Sequence, residues 1–355
     1  MAILERLKEM QNATGKNRLI MVLDGMGVTV MNKLLNKNGF FASHLTDTET
    51  AIIPATTVAA TTAYLTGKMP WETGFVGWAQ YFPEINEVVE VFTNKNFYTR
   101  QDSKLPQHSS TLPCKTVVEQ MNEHGKQAFA VVPWFMGGAD NFDDWLKEVV
   151  ETCNRETNAY IYSYWPEPDS TLHIVGSKDE KAKKILCEME RKIENAFKKI
   201  NNKTDVLITA DHGHTDTDNL FVEDFPEIAN CLSVPTSLEA RCVSFFVKPE
   251  YKQRFPEIFN KHLGNDFKLV TKDEFEKEYL HAGKPVRFIG DYVALATGKY
   301  NLWENHNCET CKSHHAGITK DELEIPIIKM SLQNYMIKND KINRIAYLYN
   351  YQYIS

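Results

Sequence analysis

The chain has 355 residues, 43% hydrophobic and 25% charged, a balance that excludes disorder and suits one large α/β domain with an insert, or two domains. Its formal net charge of -7 offers no basic footprint to a nucleic acid polymer, and it would repel an anionic substrate unless the site supplies cations. No run reaches the roughly 18 apolar residues of a membrane span, and the charged amphipathic start Met1–Met10 with seven scattered cysteines reads as a cytoplasmic protein with reduced thiols, without a membrane partner.

In chain order, residues 18–24 form an apolar run ending in Asp24-Gly25, the pattern of a buried parallel strand followed by a tight turn. Pro54-Ala55-Thr56-Thr57 then suits a helix start, and the small Ala and Thr residues that follow allow close packing on a sheet. A threonine hydroxyl there sits in the positive field of the helix terminus, beside unpaired N–H groups that would hold phosphate oxygens. Taken alone, Thr56 or Thr57 reads equally as an N-cap. A helical pattern over 114–124 leads to a strand at 127–132, and a third strand is expected at 158–164. After it, Asp169 and His173 lie four apart and would share one helical face, where they could grip one metal or form a plain surface pair. Residues 177–200 carry apolar positions at Ile185, Met189, Ile193 and Phe197, one buried stripe of a long helix.

Asp205–Ala210 is a further apolar strand, ending in Asp211-His212-Gly213-His214. An acid and an imidazole at a strand's carboxyl end are hard to explain as packing; with a turn at Gly213 they would converge on a metal. His214 would line the substrate pocket or support the metal from behind. The segment 217–305 changes character: strand-like Cys242–Val247 and Asp291–Ala296 flank a helical stretch around 250–263, which reads as an inserted α+β cap domain. The core then comprises 1–216 and 306–355, with His315 at the return, a capping box of Thr319 and Glu322, and a strand from Ile325. Strands alternating with helices predict a three-layer αβα sandwich on a mainly parallel sheet, with reactive residues at the strands' carboxyl ends. His306, Cys308, Cys311 and His314 could bind a structural zinc, or form a reduced loop beside the site.

Together Asp24, Asp169, His173, Asp211, His212 and His315 supply three carboxylates and three imidazoles, enough for two cations about 4 Å apart that would clamp both sides of an in-line phosphoryl transfer. The stretches Val22-Leu23-Asp24-Gly25, Pro54–Thr57 with Leu65–Pro70 and Gly74, Pro168-Asp169 with His173 and Gly176, Ala210–Gly213, and His315-Ala316-Gly317 resemble, in order, the motifs of the alkaline phosphatase superfamily, and within it the type I phosphodiesterase/nucleotide pyrophosphatase family. The resemblance implies an alkaline-phosphatase-like fold and a hydrolase of small phosphate esters or phosphodiesters. It implies one metal on Asp24, Asp211, His212 and the threonine oxygen, a second on Asp169, His173 and His315, zinc or else manganese as the ions, and Thr57 as nucleophile with Thr56 as the alternative. Two departures stand out. Val58-Ala59-Ala60-Thr61 replaces the family's Phe-Pro-Asn-His, and Trp78 stands where the family places an asparagine that holds a phosphate oxygen. Both point away from nucleotides, and Trp78, with Trp71 and Phe75, would form an apolar wall of the substrate site or belong to the core. A phosphomonoesterase or phosphonate hydrolase on this scaffold, and a non-catalytic metal-binding protein, are the rival readings; a sulfatase is excluded by the absence of Cys/Ser-x-Pro-x-Arg around Thr57.

Overall fold

The computed structural model describes residues 2–106 and 114–333; the stretch 334–355, assigned to the core above, lies outside them. The central sheet has six strands in the order Leu45–Thr50, Glu324–Ser331, Thr204–Thr209, Asn17–Leu23, Tyr160–Trp165, Ala128–Val131. Asn17–Leu23 pairs in parallel with both Tyr160–Trp165 and Thr204–Thr209, and Ala128–Val131 continues the parallel set. Glu324–Ser331 runs antiparallel to both its neighbours. Leu19 to Leu23 are fully buried, because helices cover the strand on both faces, so apolar side chains run without alternation.

The helices Ala2–Asn12, Thr57–Thr66 and Val117–Glu123 contact one another on one face. Val28–Leu34, Phe40–His44, Phe142–Arg155 and Asp169–Val175 gather about Glu180–Phe197 on the other. Glu180–Phe197 starts at Asp179, whose carboxylate accepts from Lys181 N–H, and buries Ala182, Leu186, Met189, Ile193 and Phe197. The result is the expected mainly parallel α/β sandwich with one apolar core on both sides of the sheet.

A second, antiparallel sheet of seven strands lies beside it, in the order Phe267–Thr271, Tyr292–Ala296, Cys242–Phe245, Ser237–Glu239, Ala79–Phe82, Glu87–Glu90, Lys95–Asn96. Four of its strands fall within 217–305; the other three come from 79–96, a stretch the sequence pattern places in the core. Leu238 pairs with Ala79 at the junction. This pairing brings Glu239 toward the carboxyl ends of the parallel strands, where Asp24, Asp169 and Asp211 follow Leu23, Trp165 and Thr209.

Candidate metal centre

Asp24 follows directly on the strand Asn17–Leu23 and is 2% exposed. The chain turns sharply behind it at Gly25, with φ of +70°; a Cβ there would come within 2.8 Å of the His214 ring, so glycine answers both the conformation and the crowding. Asp211 and His212 follow the strand Thr204–Thr209 and are fully buried. Gly213 is needed for a close approach: a Cβ there would sit 2.0 Å from the Asp321 carbonyl. Asp211 is held by N–H groups of Gly25 and His212 on Oδ1, at 3.1 and 3.0 Å. Its Oδ2 is buried and has no hydrogen-bond partner among the described residues.

The expected helix carries Asp169 and His173 at its start and end, Asp169–Val175, with His173 Nε2 3.2 Å from Asp169 Oδ1. His315 Nε2 lies 3.7 Å from the same oxygen and His214 Nε2 lies 2.6 Å from it. Two groups of side chains thus present ligand atoms within 4.8 Å of one another: Asp24, Asp211 and His212, and Asp169, His173, His214 and His315. His214 is fully buried and meets Asp169 and Ser313 Oγ rather than lining the substrate cavity.

The imidazoles are oriented alike. His212 Nδ1 lies 3.0 Å from Gly213 O, His173 Nδ1 2.9 Å from Ser313 O, and His315 Nδ1 3.0 Å from Ala55 O. A carbonyl can only accept, so each Nδ1 carries the proton and donates, and in the neutral ring each Nε2 lone pair faces the site. Carbonyl-anchored imidazoles with free Nε2 are how proteins prepare histidine for a metal.

The electrostatics suit a divalent cation. Burial pushes the Asp24 carboxyl well above its ordinary range, and the charges of Asp211 and Asp169 add to this; Tyr164 donates a hydrogen bond to Asp24 and partly offsets it. Burial also raises Asp211. Burial opposes charge on His173, but the neighbouring Asp169 charge outweighs it and raises His173 well above its ordinary value. Burial drives His214 down to about 4 and His315 well below its usual range. Buried carboxylates of this kind, one with an orphaned oxygen, next to the imidazoles of His214 and His315, which burial keeps neutral, suit divalent ions.

Thr57 opens the helix Thr57–Thr66. Its Oγ1 lies 3.2 Å from His212 Nε2 and 3.4–3.5 Å from both Asp24 oxygens. Thr56 holds the N-cap position but makes no side-chain cap; its hydroxyl donates to Glu239 Oε1 at 2.5 Å. The two adjacent threonines therefore face different partners, and only Thr57 meets the Asp24–His212 group.

A cavity of about 330 Å³ opens from this point, lined by Thr56, Thr57, Asp169, His173 and His315 on one side and by Trp78, Tyr98, Glu239 and Trp303 on the other. Trp78 lines this cavity and also packs against the cluster of Val58, Phe75 and Phe82. Trp71 packs with the cluster around Val76 and Phe275, and Phe75 is buried with Val58 and Phe82, so these two are core. Glu239, which no sequence motif marks, accepts from Thr56 Oγ1 and from Trp78 N–H at 2.8 Å, and burial raises its carboxyl to about 7. His306, Cys308, Cys311 and His314 do not converge at ligand distance among the described residues. The His306 ring packs on Phe221 and its Nε2 lies 3.1 Å from Asp224, whereas His314 is buried beside His173. The alternative of a loop bordering the site fits, with Cys311 in the cavity wall.

A mostly parallel sheet with this constellation at the strands' carboxyl ends defines a metal-dependent hydrolase of phosphoric ester bonds, of the alkaline phosphatase superfamily. Murine ectonucleotide pyrophosphatase/phosphodiesterase 5 superposes with a TM-score of 0.64 at 16% identity, covering 87% of each chain. Its inactive threonine-to-alanine variant, in complex with AMP, gives 0.65 at 16% identity, covering 88% of this chain and 87% of that one. Phosphonoacetate hydrolase from Sinorhizobium meliloti 1021, in complex with phosphonoformate, gives 0.61 at 14% identity, covering 89% and 90%. No curated protein sequence matches significantly. The chain belongs to the type I phosphodiesterase/nucleotide pyrophosphatase family, whose profile matches residues 18–317.

Proposed function

We propose that the protein is a phosphodiesterase-like phosphohydrolase that works through Thr57 as nucleophile and two divalent cations, zinc or else manganese, on a small-molecule phosphate ester or diester. Asp24, Asp211, His212 and the Thr57 oxygen would hold one ion, and Asp169, His173 and His315 the other. The observation that carries this reading is the position of Thr57 Oγ1, beside His212 Nε2 and Asp24 and at the floor of a cavity that His173 and His315 also line. When bound, the ions would polarise the phosphoryl oxygens, lower the pKa of the threonine hydroxyl and neutralise charge on the leaving oxygen.

The chain's own residues do the rest. The first turn of the helix Thr57–Thr66 receives no side-chain cap from Thr56, so its N–H groups and dipole are available to a phosphate oxygen. The Thr57 hydroxyl gives its proton to solvent and its oxygen attacks phosphorus in line; the ester bond breaks, the leaving oxygen departs and takes up a proton from solvent, and the phosphoryl group, with any second ester still attached, rests on Thr57 until water cleaves it. His212, His173 and His315, fixed through their Nδ1 protons, keep the ligand cage from relaxing between the two steps. The free thiols of all seven cysteines suit a reducing, cytoplasmic setting.

The reading is tested by turnover of bis-p-nitrophenyl phosphate and p-nitrophenyl phosphate by metal-loaded protein, with acid quench and mass measurement for nitrophenylphospho-threonine from the diester and phosphothreonine from the monoester. Faster turnover of the diester and a modified Thr57 are expected. A monoester preference would move the assignment to a phosphomonoesterase on the same site. Unchanged hydrolysis by Thr57→Ala would replace the threonine by direct attack of water.

A further inference from the structure

The far wall of the cavity is acidic in an uneven way. Glu90, Glu239, Glu304 and Glu309 all reach it, together with one cation, Arg100. Arg100 is already committed, to Glu90 and, at 3.1 Å, to Glu309. Glu239 and Glu304 have no such counter-charge among the described residues. Thr56 and the Trp78 N–H both bond Glu239 Oε1, and the Thr236 N–H bonds Glu304 Oε2 at 2.8 Å. Each carboxylate therefore keeps its second oxygen for something else. Ser237, on the same strand as Glu239, is 5% exposed, lies in the cavity wall and has no partner for its hydroxyl among the described residues. The aromatic rings of Trp78, Tyr98 and Trp303 line the same cavity.

From this arrangement we infer that the substrate carries an organic ammonium group on its leaving side, seated among Glu239, Glu304 and these rings. The inference rests on the phosphohydrolase reading of Thr57 and the two ion sites. Unpaired carboxylates in an enclosed cavity favour a cation, and aromatic faces attract one as well. An anionic leaving group, such as a carboxylate or a further phosphate, would meet two carboxyl groups and no free cation among the described residues, Arg100 being already taken. A neutral leaving group would leave both carboxylates uncompensated. A substrate with phosphate at one end and ammonium at the other matches the polarity of the cavity, positive at the ion sites and negative opposite, and would be oriented by it.

The test compares matched esters on the metal-loaded full chain. Phosphate monoesters and methyl phosphodiesters of 2-aminoethanol and its trimethylammonium analogue are set against those of propanol and 3,3-dimethylbutanol, of nearly equal shape without charge. A kcat/KM at least about tenfold higher for the cationic member of a pair is expected, the scale of one desolvated cation–aromatic or ion contact. This ratio should fall toward one in Glu304→Gln and in Glu239→Gln. Calorimetric binding of the free amino alcohols to the Thr57→Ala protein, against the neutral alcohols, reads the same pocket without turnover and does not depend on the glutamate variants folding. Rapid hydrolysis of nitrophenyl esters with a ratio near one, or a preference for nucleotides, would overturn the inference while the phosphohydrolase reading stands. Selective ammonium binding without hydrolysis of any ester would support the pocket and overturn that reading instead.

Discussion

The rings of His212 and His315 stack with centroids 3.7 Å apart and an interplanar angle of 21°, although one belongs with Asp24 and Asp211 and the other with Asp169 and His173. The two ligand groups therefore share a wall, and neither ring can swing away, because Gly213 O and Ala55 O hold their Nδ1 protons. On the proposed two-ion reading, this shared wall would let one phosphate touch both groups, as in-line transfer between ions about 4 Å apart requires. Thr57 Oγ1 lies on the His212 side of this wall.

Thr57→Ala is therefore expected to lower kcat by about a thousandfold or more, the range seen when a nucleophile is lost while binding remains. Thr56→Ala removes a hydroxyl that serves Glu239 and should cost far less, about tenfold through misplacement of the cavity wall. Steady-state rates of the two variants, with metal content measured in parallel, separate the adjacent threonines. Equal losses would place the nucleophile wrongly.

Chelation should destabilise the protein, and increasingly so toward alkaline pH. Asp24 and Asp211 have raised pKa values in the fold, and so does His173. For each, the folded state holds the proton more tightly than the unfolded chain, so the stability it contributes is present below the unfolded pKa and is lost as pH rises through the folded one. Bound ions take the place of those protons and, at a thousand times their Kd, add about 4 kcal/mol per site. Thermal unfolding of chelated and zinc-loaded protein from pH 6 to 9 should show the gap in Tm widening with pH. A gap that narrows would contradict the assignment of these carboxylates to the ions.

Much of this site is legible in the sequence because its carboxylates and imidazoles sit where local rules place them. Asp24 and Asp211-His212 end apolar strands, and Asp169 and His173 share a helix face at a spacing of four. His315 was found through its place in an ordered set of motifs. Glu239 and Glu304 were not legible: Glu239 reaches the cavity through pairing of Ser237–Glu239 with Ala79–Phe82, and Glu304 follows Tyr300–Trp303, which pairs with Asp218–Phe221, both contacts between distant segments that leave no periodic trace. The first of these pairings explains why the second sheet recruits 79–96, which read as core. Tyr164 was visible only as a strand residue, since its bond to Asp24 depends on the register between two parallel strands. The four residues His306, Cys308, Cys311 and His314 match a zinc spacing in one dimension, but His314 is drawn inward against His173 and Trp303.

Glu239 gives a prediction of its own. Burial lifts its carboxyl from 4.5 to about 7, so ionising it opposes folding. Its contribution is present below pH 4.5 and lost as pH rises to about 7, a change of roughly 3 kcal/mol for the ligand-free protein. Glu239→Gln keeps an acceptor for Thr56 and Trp78 N–H without the charge. Relative to the parent, urea unfolding should show this variant gaining stability from pH 5 to pH 8; a constant difference across that range would refute the assignment.

His214 should act on the second ion through Asp169. Its Nδ1 lies 3.0 Å from Ser313 Oγ, which itself donates to Thr215 O, and its Nε2 lies 2.6 Å from Asp169 Oδ1. Removing the ring leaves the carboxylate free to rotate, and His214→Ala should weaken one of two zinc equivalents by about 10–100-fold. Competitive chelator titration would show a single weakened site; two equally weakened sites would mean a collapse of the whole cage instead.

Arg241 and Glu322 form a fully buried ion pair, with Nε to Oε1 at 2.6 Å and Nη2 to Oε2 at 2.8 Å. The same carboxylate accepts from Gly317 N–H and Thr319 Oγ1, so it ties down the loop directly after His315. Breaking the pair from one side leaves a buried charge unpaired, and Arg241→Met should cost about 3–5 kcal/mol. Replacing both partners, Arg241→Met with Glu322→Gln, removes that charge and should recover part of the loss. Because Glu322 also caps Lys320–Leu323, recovery will be incomplete, and His315 should remain less well placed. Denaturant unfolding of the single and double variants measures the first effect, and zinc affinity of the double variant measures the second. A double variant as unstable as Arg241→Met alone would show that the carboxylate's bonds to the 317–319 loop, rather than its salt bridge, hold this part of the site.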